Sequence, residues 1–107
     1  MSTSFQIITP IDGSVYAERA YHTLAQAQER AREAREAQRA WARTSLEERG
    51  AYLNRFLECF LAKGELIAEE ITWQMGRPIS QSPGELRGFE ERARYMIGCA
   101  AAAEDRG

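Results

Sequence analysis

Residues 69–95, with the sequence EEITWQMGRPISQSPGELRGFEERARY, decide how this chain folds. Their first part extends a helix that has apolar residues four apart on one face, at Ile67, Ile71 and Met75. Gly76 can adopt the left-handed conformation that ends a helix, and Pro78 prevents its continuation. Pro83 can open the next helix, because its missing N–H group costs nothing in a first turn. The stretch therefore predicts two helices that pack across a short connection.

Apolar residues at three- and four-residue spacings predict four helices, over residues 23–43, 45–63, 65–76 and 83–103. Thr23 can cap the first helix, and Ser45 with Glu48 forms a capping-box pattern at the start of the second. Gly64 marks a break or bend between the second and third helices, which we expect to be nearly continuous. An alanine-rich face on the first helix consists of Leu24, Ala27, Ala31, Ala34, Ala37 and Trp41.

Residues 4–19 precede the helices and are predicted to form a β-hairpin. Two short apolar segments flank the sequence Thr9–Ser14, in which Asp12-Gly13 is a strong turn signal. An isolated two-stranded hairpin is only marginally stable in water, so this one must pack on the helices or pair with a sheet from elsewhere. The predicted fold class is therefore mainly α with an N-terminal β-hairpin.

Length and composition indicate a single small folded unit. The chain has 107 residues, 44% of them hydrophobic and 28% charged, and its net charge is −2. This charge argues against a general attraction to nucleic acid or to an anionic membrane. The N-terminus lacks a basic region followed by a long apolar run, and no apolar run approaches the length of a membrane span. We therefore predict a cytoplasmic protein that binds neither nucleic acid nor membrane.

Three side chains could in principle act as a base or a nucleophile. His22 is the sole histidine, and it lies in the link between the hairpin and the first helix, where we expect a surface position. Cys59 and Cys99 fall within apolar helical patterns, without the helix start or cation that lowers a thiol pKa. We therefore expect both cysteines to be buried or half-buried fillers. No CxxC motif or Cys/His cluster suggests a zinc site.

The remaining candidates are paired carboxylates and glycines. Glu69-Glu70 and Glu90-Glu91 are helix neighbours that point about 100° apart, so they do not form an acid/base dyad. Gly76, Gly84 and Gly88 match neither a dinucleotide-binding fingerprint nor a P-loop, and no strand precedes them. The residues by themselves therefore predict no catalytic, cofactor-binding or metal-binding site.

Several segments, taken in order over residues 5–100, resemble the N-terminal part of aldehyde dehydrogenases. The sequence Thr9–Tyr16 is similar to the N-terminal hairpin of that family. Met75–Pro78 resembles its Gly-Lys-Pro-type helix stop, with arginine in place of lysine. The other similar segments are Ala37–Trp41, Glu48-Arg49 with Leu53 and Phe56, and Arg94-Tyr95.

The resemblance implies a protein several times longer than this chain, with an α/β Rossmann-like cofactor domain and an oligomerisation hairpin. Such enzymes oxidise an aldehyde to a carboxylic acid with NAD or NADP, through a thiohemiacetal and a thioester on a cysteine. Their nucleophile, general base, oxyanion asparagine and cofactor-binding residues lie beyond the region matched here. No catalytic or cofactor role is carried over to Cys59 or Cys99, and the chain alone is expected to bind no cofactor. A carboxylate at the position of Glu85 sometimes joins a structural monovalent-cation site in this family.

Two main hypotheses remain open. In the first, residues 1–107 are a single partial domain, the N-terminal fragment of an aldehyde dehydrogenase, inactive on its own and arising by truncation, by a split reading frame or as a recombinant piece. Its partner is then the remainder of that fold or another subunit, which the hairpin could join by strand addition. In the second, the chain is a stand-alone helical interaction module that binds a partner, or forms a homo-oligomer, through its hairpin and alanine-rich face. A fragment leaves a large apolar patch exposed, whereas a module closes its core or dimerises.

Overall fold

The structure, a computed structural model, describes residues 2–105 as a two-stranded hairpin followed by four helices. The strands are β1, Ser4–Ile8, and β2, Val15–Ala20. The helices are α1, Leu24–Trp41, α2, Leu46–Ala62, α3, Gly64–Met75, and α4, Pro83–Asp105. This architecture confirms the predicted fold class, mainly α with an N-terminal β-hairpin.

The hairpin is antiparallel and closes through the predicted Asp-Gly turn. Its register runs from Ser4 opposite Ala20 to Ile8 opposite Val15, with one irregularity between Ile7 and Ile8. Gly13 takes a φ of 77°, which a residue without a Cβ adopts at little cost. The carboxylate of Asp12 accepts hydrogen bonds from the backbone N–H and the hydroxyl of Ser14, at 2.9 and 2.6 Å. These bonds lower the pKa of Asp12 and fix the turn.

Side-chain caps begin the first two helices. The hydroxyl of Thr23 accepts from the backbone N–H of Gln26, and the Gln26 amide accepts from the backbone N–H of Thr23. Ser45 and Glu48 form the same reciprocal pair at α2, as the capping-box pattern predicts. Each pair satisfies N–H groups that a helix start leaves without partners.

Helix boundaries follow local turn geometry. α1 ends at Trp41 rather than at residue 43, because the N–H groups of Arg43 and Thr44 donate to carbonyls three residues back instead of four. Lys63, with φ −98° and ψ 18°, separates α2 from α3, close to the break predicted at Gly64. α4 continues to Asp105, two residues beyond the predicted end at 103.

The core lies where α4 packs on α2 and α3. α2 and α4 are antiparallel, since Phe60 contacts Phe89 with ring centroids 4.8 Å apart while Arg94 reaches back to Glu58 at 2.9 Å. The α3–α4 approach is close at Gly64, where a Cβ would lie 3.3 Å from the Leu86 side chain. Few side chains are buried in the described chain; they are Leu57, Ala68, Leu86, Thr9 and Ser82.

Much of the apolar surface stays exposed. The described residues span 51 × 41 × 23 Å with a radius of gyration of 18.5 Å, against about 13 Å for a compact domain of 100 residues. α1 contains no buried residue, and Leu24 on its alanine-rich face is 76% exposed. α2 and α4 also expose large apolar side chains, among them Tyr52, Leu53, Phe56, Tyr95 and Met96. The helices thus present apolar faces that the described part of the chain does not cover.

Candidate functional site

The candidate base and nucleophiles lie apart from one another. His22 occupies an exposed position between β2 and α1, which confirms the surface prediction. Cys99 is half-buried, as expected, and the nearby Cys99 thiol raises the pKa of Tyr95. The expected burial of Cys59 is wrong, because this residue of α2 is exposed.

The paired carboxylates bond to separate partners. Glu70 accepts from Tyr16 and Gln74, whereas Glu69 next to it is exposed. Glu90 accepts from Arg94, whose guanidinium also reaches Glu58 on α2. Among the side chains of residues 2–103, no three of His, Cys, Asp or Glu converge closely enough to hold a metal ion.

Glu85 forms an ion pair with Arg77. This pair joins the first turn of α4 to the connection that follows α3. Beside it, the buried hydroxyl of Ser82 lies 2.7 Å from the hydroxyl of Thr72 and 3.3 Å from the Pro78 carbonyl oxygen. The position where the resemblance implied a monovalent cation is thus the centre of a polar link between α3 and α4.

The hairpin attaches to α3 through a small cluster, here called the hairpin junction: Tyr16, Glu70, Trp73, Gln74, and Pro10 with Gly76. The Tyr16 hydroxyl donates to Glu70 Oε1 at 2.6 Å, and Gln74 donates to Glu70 Oε2 at 2.7 Å. The rings of Tyr16 and Trp73 stack with centroids 6.1 Å apart and planes 5° apart. Pro10 lies so close to Gly76 that a Cβ there would be 2.9 Å from the proline Cγ. The hairpin junction therefore orients the hairpin on the helices.

We expect this junction to respond to pH at both extremes. The hydrogen bond from Tyr16 lowers the pKa of Glu70, with Gln74 adding to the effect, and the same bond raises the pKa of Tyr16. The lowered pKa of Glu70 contributes stability that is present above the pKa of this carboxylate in the unfolded chain. This stability is lost as pH falls through its pKa in the folded chain. The raised tyrosine pKa gives stability that is present below the unfolded pKa and lost as pH rises through the folded one. The contribution is therefore complete between about pH 5 and pH 9.

The indole N–H resonance of Trp73 in a pH titration checks this expectation. We expect it to move below about pH 4 and again above about pH 10. Tyr16→Phe keeps the stacked ring but has no phenol to ionise, so the alkaline transition is expected to disappear. An alkaline transition of Trp73 that persists unchanged in Tyr16→Phe would contradict the assignment.

A second contact point is the corner between α1 and α2. Trp41 and Tyr52 lie with ring centroids 5.7 Å apart, and the Arg49 guanidinium carbon lies 5.6 Å from the centre of the Trp41 ring. An open groove of about 490 Å³ runs along this corner, lined mainly by alanine and aromatic side chains of Ala34, Ala37, Trp41 and Tyr52. Its lining includes no carboxylate, histidine, lysine or cysteine, so the groove suits packing rather than chemistry.

The hairpin junction and the α1–α2 corner set the orientation of the hairpin and of α1 and leave apolar surfaces exposed. In the described residues, neither cysteine is hydrogen-bonded to a histidine, and the bonded carboxylates serve structural contacts. Sequence reasoning missed the hairpin junction and the α1–α2 corner, because each depends on partners identified only by the folded chain. Within residues 2–105, none of the helices combines the length and apolar character needed to cross a bilayer.

Comparison with known proteins identifies the family. The family model described as "Aldehyde dehydrogenase family" matches residues 1–107. An aldehyde dehydrogenase of Deinococcus radiodurans is 30% identical over 101 residues, which cover 94% of this chain and 20% of that relative. The chain thus spans about one fifth of the length of the curated relative it matches. No solved structure matches it significantly. On this similarity along its whole length, the chain belongs to the aldehyde dehydrogenase family.

Proposed function

We propose that this chain forms the N-terminal helical segment of an NAD(P)-dependent aldehyde dehydrogenase and oxidises no aldehyde without the rest of that fold. The observation that carries the proposal is the apolar surface left open on α1, α2 and α4. An exposed patch of this extent is typical of a surface that another part of a protein covers. Its combination with a relative about five times longer favours the dehydrogenase fold as the covering partner.

The chemistry of the family supports the second half of the proposal. Oxidation through a covalent intermediate requires an activated nucleophile and donors that stabilise an oxyanion. In the described chain, neither Cys59 nor Cys99 is hydrogen-bonded to a histidine or a carboxylate that could activate its thiol. The chain's own residues therefore contribute structure, and NAD or NADP binds elsewhere in the complete enzyme.

The proposed partner is the remainder of the dehydrogenase fold, in the same polypeptide or in another subunit, in the cytoplasm. The hairpin has two free edges, and such edges can pair with further strands. A homo-oligomer of complete subunits is consistent with these edges. α1 contributes an alanine-rich face, on which a neighbouring element can approach the helix backbone closely.

A chimeric enzyme tests the proposal. The matched segment of the Deinococcus radiodurans aldehyde dehydrogenase is replaced by residues 1–107 of this chain, and reduction of NAD or NADP is followed with a panel of aldehydes. We expect the chimera to be active, and both this chain alone and the relative without its segment to be inactive. A folded but inactive chimera would count against the proposal, and so would aldehyde-dependent reduction of NAD or NADP by this chain alone.

A second candidate, the stand-alone helical module, is favoured by one observation, the wholly exposed α1. Such a module would bury the alanine-rich face by self-association. Light scattering on the purified chain distinguishes the candidates, because a module gives a stable dimer that Ala34→Glu dissociates. The fragment is expected instead to show weak association, with no dependence on that single residue.

A further inference from the structure

Arg49 connects α1 to α2 through several contacts at once. From the first turns of α2, its guanidinium reaches back to the end of α1 and donates to the carbonyl oxygens of Trp41 and Ala42, at 3.1 and 3.3 Å. Its Nε donates to the hydroxyl of Thr44 at 3.0 Å, and that hydroxyl donates to the Trp41 carbonyl at 2.6 Å. The guanidinium also lies over the Trp41 ring, with its central carbon 5.6 Å from the ring centre.

These contacts suit an arginine in particular. A helix C-terminus leaves carbonyl oxygens without partners and carries a partial negative charge, which a cation stabilises. A guanidinium offers five donors in one plane and can stack on an aromatic face at the same time. A lysine ammonium is a compact point charge that cannot reproduce both the spread donors and the stacking. Arg49 therefore fixes the angle of the corner as well as neutralising the helix end.

α1 has little other support. None of its residues is buried, whereas α4 packs on α2 and α3. The aromatic contact between Trp41 and Tyr52 lies at the same corner as Arg49. The direction in which α1 leaves α2, and with it the orientation of the alanine-rich face, therefore depends on this corner.

We propose that Arg49 is a positioning residue that holds α1 in the direction required for the rest of a dehydrogenase fold to pack on the alanine-rich face. The part of the inference that concerns packing rests on the proposed function, while the part that concerns direction rests on this chain alone. The covering partner is the remainder of the fold, since about four fifths of the matched relative lies outside the matched segment. Arg49 contacts neither substrate nor cofactor in this role.

Distance measurement on the full chain tests the direction of α1. Spin labels are attached at Gln28→Cys on α1 and Asn54→Cys on α2, in a background of Cys59→Ser and Cys99→Ser. We expect a narrow distance distribution for the wild-type corner, and one about twice as wide for Arg49→Ala, because the helix end can then move locally. Arg55→Ala, which removes an exposed arginine from the same helix, is the matched control and is expected to leave the distribution narrow.

Arg49→Lys keeps the charge and covers the case in which Arg49→Ala fails to fold. We expect it to retain the helical circular dichroism of the wild-type chain and still to widen the distribution, because the planar donors and the stacking are lost. A distribution as narrow as that of the wild type in both Arg49 variants, or an equal widening in Arg55→Ala, would overturn the inference.

Activity in the chimeric enzyme separates the two proposals. If the chimera with wild-type residues 1–107 is active, we expect Arg49→Lys to lower kcat several-fold while KM for the aldehyde changes little, because fewer molecules assemble correctly. Full activity of an Arg49 variant with a widened distribution would overturn the positioning role. If the chimera with wild-type residues is itself folded and inactive, the proposed function fails, and the distance measurement still decides whether Arg49 directs α1.

Discussion

Leu57→Ala is expected to lower the free energy of unfolding by about 2–5 kcal/mol, the range for removing a buried leucine side chain. Leu57 is 1% exposed, in the region of α2 that packs on α4. The loss combines the transfer free energy of the deleted carbons with the cavity left behind. Because small domains are stable by only about 5–15 kcal/mol, a large share of the stability is at stake. Urea unfolding followed by far-ultraviolet circular dichroism measures the change.

Leu53→Ala is the matched control for this substitution. It deletes the same atoms one helical turn away on α2, where the side chain is 48% exposed. We expect a loss of less than about 1 kcal/mol in the chain alone, since about half of this side chain stays in water in the folded chain and its removal leaves no enclosed cavity. Equal losses for the two variants would show that the buried face of α2 has been misassigned. In the chimeric enzyme, by contrast, Leu53→Ala is expected to become costly if the partner covers that face.

Gly76→Ala is expected to cost about 2–4 kcal/mol, through backbone strain and crowding together. Gly76 has a φ of 77°, and a left-handed backbone disfavours any Cβ. The added Cβ would also lie 2.9 Å from Cγ of Pro10, so the turn of the hairpin must move. We expect the Tyr16–Trp73 stack to loosen as a result. Unfolding in urea gives the total cost, and the Trp73 indole resonance reports the movement.

Gly13→Ala separates the two causes. Gly13 has the same φ of 77°, and a Cβ there meets nothing within 4 Å. This variant is expected to lose only the conformational part, about 1–2 kcal/mol, and to leave the Trp73 resonance unchanged. Equal costs and equal spectra for the two alanine variants would contradict a close contact between Pro10 and Gly76.

The sequence was most informative where a feature depends on neighbouring residues. The caps at Thr23 and Ser45, the turn at Asp12-Gly13 and the helix end at Gly76 are each decided within a few residues. A cap needs one side-chain oxygen at a fixed offset, and a left-handed helix end needs a residue without a Cβ. The mainly helical fold class could therefore be read without knowledge of any distant contact.

Features that join distant residues could not be read in this way. Tyr16 and Glu70 are 54 positions apart, and nothing in the local pattern of either residue names the other. Arg49 looks like one charge among many on a helix, and its role depends on a turn that brings the end of α1 back over α2. The sequence pointed to Arg49 only because it lies in a segment that resembles the family. That resemblance does not say which residues its side chain contacts.

Burial was the other property that the pattern could not supply. Helical spacing identifies the apolar face of α2, but it does not say whether an element is present to cover that face. Cys59 was expected to be buried for this reason, and it is exposed. Prediction of the candidate site was limited in a similar way. The family resemblance indicated that the chain is part of a larger enzyme, but its own residues predicted no catalytic or binding site.

The packing of α2 and α3 on α4 has a consequence for synthesis on the ribosome. Phe60 and its partner Phe89 are 29 positions apart, so α2 is made well before the helix that covers it. At about 5–20 residues per second, the ribosome adds Phe89 on the order of seconds after Phe60, and the apolar face of α2 stays uncovered during that time. Helices form in about a microsecond, so during this delay α2 has time to become helical but still lacks its tertiary contacts with α4. The nascent chain therefore offers chaperones a preformed amphipathic helix, and slower codons between residues 62 and 83 would lengthen that opportunity.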